Sequence, residues 1–132
     1  MSSIFSRIIA REIPAWIVAE DEEHIAFLDI NPLMRGHTLV VPKVEVDYYF
    51  DLSKNDYQNL NHFARNVAIA IKKAIPCERI GVVVMGLEVP HCHMHLIPID
   101  AMDDMNFSRP KLKLEKDDFQ RIAEQISSQF EG

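Results

Sequence analysis

The run Pro90-His91-Cys92-His93-Met94-His95-Leu96-Ile97-Pro98 alternates imidazole with apolar side chains, and this constrains the local fold more than any other feature of the chain. A period of two between bounding prolines predicts a β-strand, with His91, His93 and His95 on one face and Cys92, Met94 and Leu96 on the other. Same-face neighbours on a strand lie roughly 7 Å apart, so three imidazoles can converge on one anionic or metallic centre. Half of the six histidines in 132 residues fall in this short run, which argues for a site. Imidazole, with an ordinary pKa of about 6.5, serves near neutrality as nucleophile, proton carrier or metal ligand.

A chain of this length is expected to form a single domain over residues 1–132, burying roughly two-thirds of its unfolded surface. With 48% apolar and 26% charged residues, its composition is that of a globular protein. A net charge of -6 argues against a nucleic-acid partner, which needs a basic face along its phosphates. Cys77 and Cys92 are too few and too isolated for a disulfide framework. The longest apolar stretch, Ile80 to Leu87, is too short to span a bilayer, and the N-terminus lacks a secretory pattern. The expectation is a reduced, cytoplasmic protein without a membrane partner.

Ile4, Phe5, Ile8 and Ile9 share one side of a short helix closed by Pro14. Trp16 to Glu20 and Ile25 to Leu28 read as strands around Asp21-Glu22-Glu23, and His37 to Val41 reads as a third, ended by Pro42. From the N-cap candidate Ser53, apolar residues at Leu60, Phe63, Val67, Ala70 and Ile71 predict the longest helix, stopped by Pro76. Ile80 to Met85 is β-branched and apolar, a central strand that turns at Gly86 into the histidine strand. Asp100 to Pro110 is expected as a mobile loop, and Phe119, Ile122, Ala123, Ile126 and Phe130 carry helical spacing. The predicted class is α+β: a five-stranded, largely antiparallel sheet, one long helix, and short terminal helices.

His91-Cys92-His93-Met94-His95-Leu96-Ile97 resembles the signature of the histidine-triad (HIT) family, three histidines alternating with apolar residues. Two further blocks are similar to family blocks in the same order: Ile4 to Ile9 with Glu12-Ile13-Pro14, and Ile25 to Pro32 followed by Gly36 to Lys43. The resemblance implies a hydrolase or transferase acting on a purine nucleoside monophosphate joined through its α-phosphate to a leaving group, of the nucleoside phosphoramidase or dinucleoside polyphosphate hydrolase type. It assigns His93 as the nucleophile that forms a nucleotidyl-histidine intermediate, with His91 and His95 as the flanking catalytic residues. Imidazole chemistry allows this, because a neutral ring nitrogen attacks readily and flanking rings donate hydrogen bonds or move protons. The spacing does not divide that work between His91 and His95, and His91 also admits a purely structural role.

By the same resemblance Asp29 accepts from the ribose hydroxyls, Phe5, Ile8, Phe27 and Ile30 sandwich the base, and His37 orients the site from behind. From the residues alone, Asp29 reads equally as a turn former before Asn31-Pro32, and the apolar four as core. Gly86, Glu88 and Val89 fall in the phosphate-facing turn, where Glu88 stands in place of a hydroxyl residue found in other branches. A carboxylate there repels phosphate, which puts leaving-group assistance and substrate preference in question. Bacterial relatives bear a Cys-x-x-Cys zinc site, whose matching positions here are Ser3, Ser6 and Glu45. These are poor zinc ligands, so neither metal nor cofactor is expected, and burial of Ile4, Phe5 and Ile8 alone is expected to hold the first helix. Family members commonly pair as homodimers, and the same is expected here. Two other readings stay open: a metal-dependent hydrolase or metal-binding domain with the three histidines as ligands, and a catalytically weak nucleotide sensor.

Overall fold

The central strands are buried on both sides, and the sheet they form carries a different layer on each face. The structure, a computed structural model, describes residues 2–132. Its strands are β1 (Ile17–Glu20), β2 (His24–Leu28), β3 (Thr38–Pro42), β4 (Arg79–Val83) and β5 (Met94–Ile99). They lie in the order β1-β2-β3-β5-β4, with every neighbouring pair antiparallel. Helices α1 (Ile4–Ile9), α2 (Lys54–Ala74) and α3 (Lys116–Gln129) complete the α+β architecture expected from the sequence.

The long helices form where their capping and periodicity direct. Ser53 Oγ accepts the Asp56 N–H at 3.1 Å, which satisfies one orphan donor of the first turn of α2. The helix ends before Pro76, since the residue preceding a proline is pushed out of helical geometry, and Ile75 is extended. Leu60, Phe63, Ala64, Val67, Ala70 and Ile71 line its buried stripe, and Phe119, Ile122, Ala123 and Ile126 line that of α3. Both stripes cover one sheet face, against Ala26, Leu28, Val40, Cys92, Met94 and Leu96. Each large side chain buried there contributes about 1.5–3 kcal/mol of transfer free energy.

The opposite face carries a smaller cluster of Phe5, Ile8, Ile25, Phe27, Leu39 and Val41, with α1 laid across it. Antiparallel register lines up Phe27, Leu39 and His95 across β2, β3 and β5. That row becomes the floor of the site.

Four local expectations change, the first being that β4, expected as a central strand, is an edge strand of the sheet. The triad strand begins only at Met94, because the His91 and Cys92 amides turn aside to the carbonyls of Val89 (2.8 Å) and Val46 (2.7 Å). β4 stops at Val83, ahead of a turn in which Gly86 takes φ 69, a conformation that side chains with a Cβ resist. The Asp100–Pro110 segment, expected as a mobile loop, is folded. Asp104 Oδ2 accepts the amides of Asp100 (2.7 Å) and Ala101 (2.9 Å), and Arg109 reaches Asp104 Oδ1 at 3.2 Å. The Leu112 amide then bonds Pro32 O at 2.8 Å, so residues 100–112 form a strap tied to the β2–β3 connection.

Candidate active site

A cavity of about 510 Å³ lies between α1, the carboxyl end of β2, the turn after β4 and the strap. That volume is within the range of small-molecule sites. Of the residues singled out in the sequence, Phe5, Ile8, Phe27, Asp29, Ile30, His37, Gly86, Glu88, Val89, His93 and His95 all line it. His91 does not.

His91 is fully buried and both of its ring nitrogens are engaged. A carbonyl can only accept, so the 2.7 Å contact to Pro42 O places the proton on Nε2. Nδ1 then accepts from the Ser3 hydroxyl at 2.6 Å. Ser3 Oγ in turn accepts the Ser6 amide at 3.0 Å, while Glu45 Oε1 accepts from the Ser3 amide (2.7 Å) and the Ser6 hydroxyl (2.6 Å). This closed network corrects the expectation that burial alone holds α1: Ile4 is 49% exposed, and hydrogen bonds clip the helix to the triad segment. Both ring nitrogens of His91 are spent on Ser3 and Pro42, and the residue does not line the cavity. The donor set does not suit a structural zinc ion, because two neutral hydroxyls replace thiolates and every donor is already satisfied by its neighbours.

His93 follows a different logic. Its Nδ1 lies 2.8 Å from His91 O, again an obligate acceptor, so in the neutral ring Nδ1 carries the proton and Nε2 the lone pair. Phe5 packs edge-on against the ring with centroids 5.0 Å apart. The chain that buries His91 therefore also sets the tautomer of His93.

His95 takes the opposite tautomer. The Leu33 amide donates to His37 Nδ1 at 3.0 Å, so neutral His37 is protonated on Nε2 and donates to His95 Nδ1 at 2.9 Å. His95 must then carry its own proton on Nε2. Burial, and secondarily the neighbouring His93, depresses His95 to about 4; burial, then His95 and Lys111, depresses His37 to about 3. Both rings are neutral at pH 7. The site thus holds a lone pair on His93 beside an N–H donor on His95, with ring centroids 5.1 Å apart.

Asp29 sits where β2 ends. Its amide bonds His37 O at 2.9 Å, its Oδ1 accepts the Asn31 amide at 2.8 Å, and its Oδ2 lies 3.5 Å from His37 Nε2. Burial lifts its carboxyl above the ordinary range against the Asn31 hydrogen bond. Asp29, His37 and His95 offer ligand atoms within 4.8 Å of one another. A cation there would have to displace the proton shared between His37 and His95. The three-histidine metal centre weighed above is not assembled, since His91 spends both nitrogens on Ser3 and Pro42.

Among the lining residues not assigned to the site from the sequence, Phe107 and Lys111 lie on the strap. Phe107 stands edge-on to His95 and His37, with centroids 5.0 and 6.2 Å away. Lys111 Nζ donates to Phe107 O (2.5 Å) and Arg109 O (3.2 Å), which holds a cation at the cavity wall. A lone aromatic inside a polar segment was the one available signal.

The HIT-domain sequence profile matches residues 10–102. A HIT-like protein of uncharacterised function from Borreliella burgdorferi is 35% identical over 132 residues, spanning 94% of this chain and 95% of its own. The adenosine 5'-monophosphoramidase of Schizosaccharomyces pombe is 29% identical over 136 residues, spanning 98% and 99% of the two chains. Among solved structures, a HIT-like protein of Bartonella henselae superposes with a TM-score of 0.85 at 28% identity, covering 98% of this chain and 96% of its own. The chain belongs to the HIT family, whose members are nucleotide-binding hydrolases and transferases.

Proposed function

We propose that this protein cleaves a purine nucleoside monophosphate from a conjugate in which the α-phosphate is bonded to an amine or a second phosphate, through a nucleotidyl intermediate on His93. The observation that carries this reading is the pair of opposed tautomers: an unprotonated His93 Nε2 and a protonated His95 Nε2 at one cavity wall. The name of the S. pombe relative supports the substrate class.

In the first step the His93 Nε2 lone pair forms a bond to phosphorus, and the bond to the leaving group breaks with its electron pair. The leaving atom takes up a proton from solvent. The positive charge that develops on the His93 ring is stabilised through Nδ1–H and the His91 carbonyl. The neutral His95 Nε2–H donates a hydrogen bond to a phosphoryl oxygen and stabilises the charge that develops there. Water then attacks phosphorus, the P–N bond breaks, its electron pair returns to Nε2, and the water's proton leaves to solvent. The sum is conjugate plus water giving nucleoside monophosphate plus free leaving group.

Phe5, Ile8, Phe27 and Ile30 form the walls for the base, Asp29 the acceptor for the ribose, and the Gly86–Val89 turn the approach to the phosphate. A homodimer is part of the proposal: the outer edge of β4 has no strand partner among the described residues, Val82 there is 55% exposed, and Ile69 on α2 beside it is 40% exposed. Profiling the purified protein against adenosine and guanosine phosphoramidates, dinucleoside polyphosphates and adenylylated amines tests the reading. Release of nucleoside monophosphate from at least one class, lost in His93→Ala with the circular dichroism spectrum intact, is expected. Equal rates for wild type and His93→Ala would refute it.

A further inference from the structure

Among the described residues Lys111 is the one lysine or arginine that lines the cavity, and the reaction above gives it no task. It lies beyond residues 10–102, the stretch shared with the HIT-domain profile, so the strap brings it to the cavity from outside that stretch. Two of its three N–H donors are spent on Phe107 O and Arg109 O, at 2.5 and 3.2 Å. These bonds moor the ammonium and leave one donor for the cavity.

Its position follows from what it is moored to. The Phe107 ring stands edge-on to His37, with centroids 6.2 Å apart, and Asp29 Oδ2 lies 3.5 Å from Nε2 of the same His37. Lys111 therefore stands at the Asp29 end of the cavity, and its charge reaches both Asp29 and His37. Asp29 Oδ1 is taken by the Asn31 amide, while the His37 proton goes to His95, which leaves lone pairs free on Oδ2. Among the described residues Asp29 and Lys111 do not pair with each other. An unspent acceptor and an unspent donor thus share one end of the cavity without touching. A vicinal diol fits that arrangement, since each hydroxyl can both donate and accept.

We propose that Lys111 is a specificity-determining residue that clamps the ribose diol together with Asp29: one hydroxyl donates to Asp29 Oδ2, its neighbour accepts from the Lys111 ammonium, and nucleotides lacking those hydroxyls are selected against. This rests on the nucleotidyl-transfer reading above and on the ribose contact proposed there for Asp29, to which it adds the second half of the clamp. The strap is then a part of the substrate site, because it delivers the donor and moors it at the height of His37.

The test is calorimetric titration with adenosine monophosphate and with 2′,3′-dideoxyadenosine monophosphate, which share base and phosphate and differ only in the two hydroxyls. Wild type is expected to bind the ribonucleotide roughly 100-fold more tightly, a factor of about ten for each hydrogen bond to a charged group. Lys111→Met keeps the aliphatic stem without the donor and should cut that ratio by roughly tenfold. Lys111→Arg keeps a charged donor and should retain most of it. A wild type that binds the two ligands equally overturns the inference, and so does a Lys111→Met that weakens both by the same factor, since Lys111 would then only fasten the strap. The nucleotidyl-transfer reading survives both of those results. Failure of wild type to bind either nucleotide would instead remove that reading, and this inference with it.

Discussion

At the scale of single residues, the proposed function turns on which nitrogen holds a proton. His93 and His95 have the same chemistry and lie two positions apart, yet obligate acceptors and donors around them force opposite tautomers. His37 is the hinge of that arrangement. In His37→Ala the buried Leu33 amide loses its acceptor, at a cost of about 1–3 kcal/mol, and His95 is free to move its proton to Nδ1. Calorimetry should show the loss of stability, and kinetics a fall in kcat with little change in KM for the nucleotide.

The same residues predict a pH dependence of stability. His37 and His95 titrate at about 3 and about 4 in the fold but near the ordinary value of about 6.5 once unfolded. Between those limits the unfolded chain binds the extra protons, so stability is fully present above pH ~6.5 and falls as pH drops toward 4, by up to about 1.4 kcal/mol per unit for each ring. Thermal melts across this range should show the decline, with a shallower slope in His37→Ala. A melting temperature independent of pH between 6.5 and 4.5 would contradict the buried, neutral state assigned to His37 and His95.

At the scale of elements, the site exists because short segments are clipped to the sheet. α1 has six residues, too few to persist alone, and it carries Phe5 and Ile8 to the cavity wall. Ser3 caps it and bonds His91. Ser3→Ala should therefore cost about 1–2 kcal/mol and raise KM more than it lowers kcat, read from melts and from steady-state kinetics. The strap depends likewise on Arg109, which bonds Asp103 O at 2.9 Å and Asp104 Oδ1 at 3.2 Å. Arg109→Ala should loosen Phe107 over His95 and speed amide exchange in residues 100–112, measured by hydrogen exchange.

The sheet and the two long helices were legible because periodicity, capping and proline stops all act locally: Ser53, Pro76 and the Phe119 to Ile126 spacing fix their elements whatever surrounds them. Much of the cavity lining was legible through the family resemblance, which pointed to Asp29 and Phe27 as well as His93 and His95. What sequence could not show was long-range pairing. The removal of His91 from the cavity depends on Ser3 and Pro42, 88 and 49 positions away, and no local pattern encodes it. The strap was read as loose for the same reason: its polar residues look solvated until Asp104 and Arg109 are seen to bond one another.

At the scale of the whole molecule, the sheet divides the labour between two faces. One carries the larger core under α2 and α3, and the other is thin, polar at one end and open to solvent through the cavity. The cavity opens on the face that carries the smaller apolar cluster. The outer edge of β4 and the exposed Val82 and Ile69 are the counterpart on the outside, where the proposed homodimer would continue the sheet. Sedimentation should give twice the mass of the 15.2 kDa chain, and Ile69→Asp with Val82→Asp should give the single mass.

The most direct test of the whole account is mass spectrometry of peptides from protein quenched within its first turnover of an adenosine phosphoramidate. An adenylyl group on the peptide that contains His93, absent when His93→Ala is treated identically, is the predicted result. Nucleoside monophosphate released with no adduct at His93, or an adduct on His95 or Lys111 instead, would contradict it.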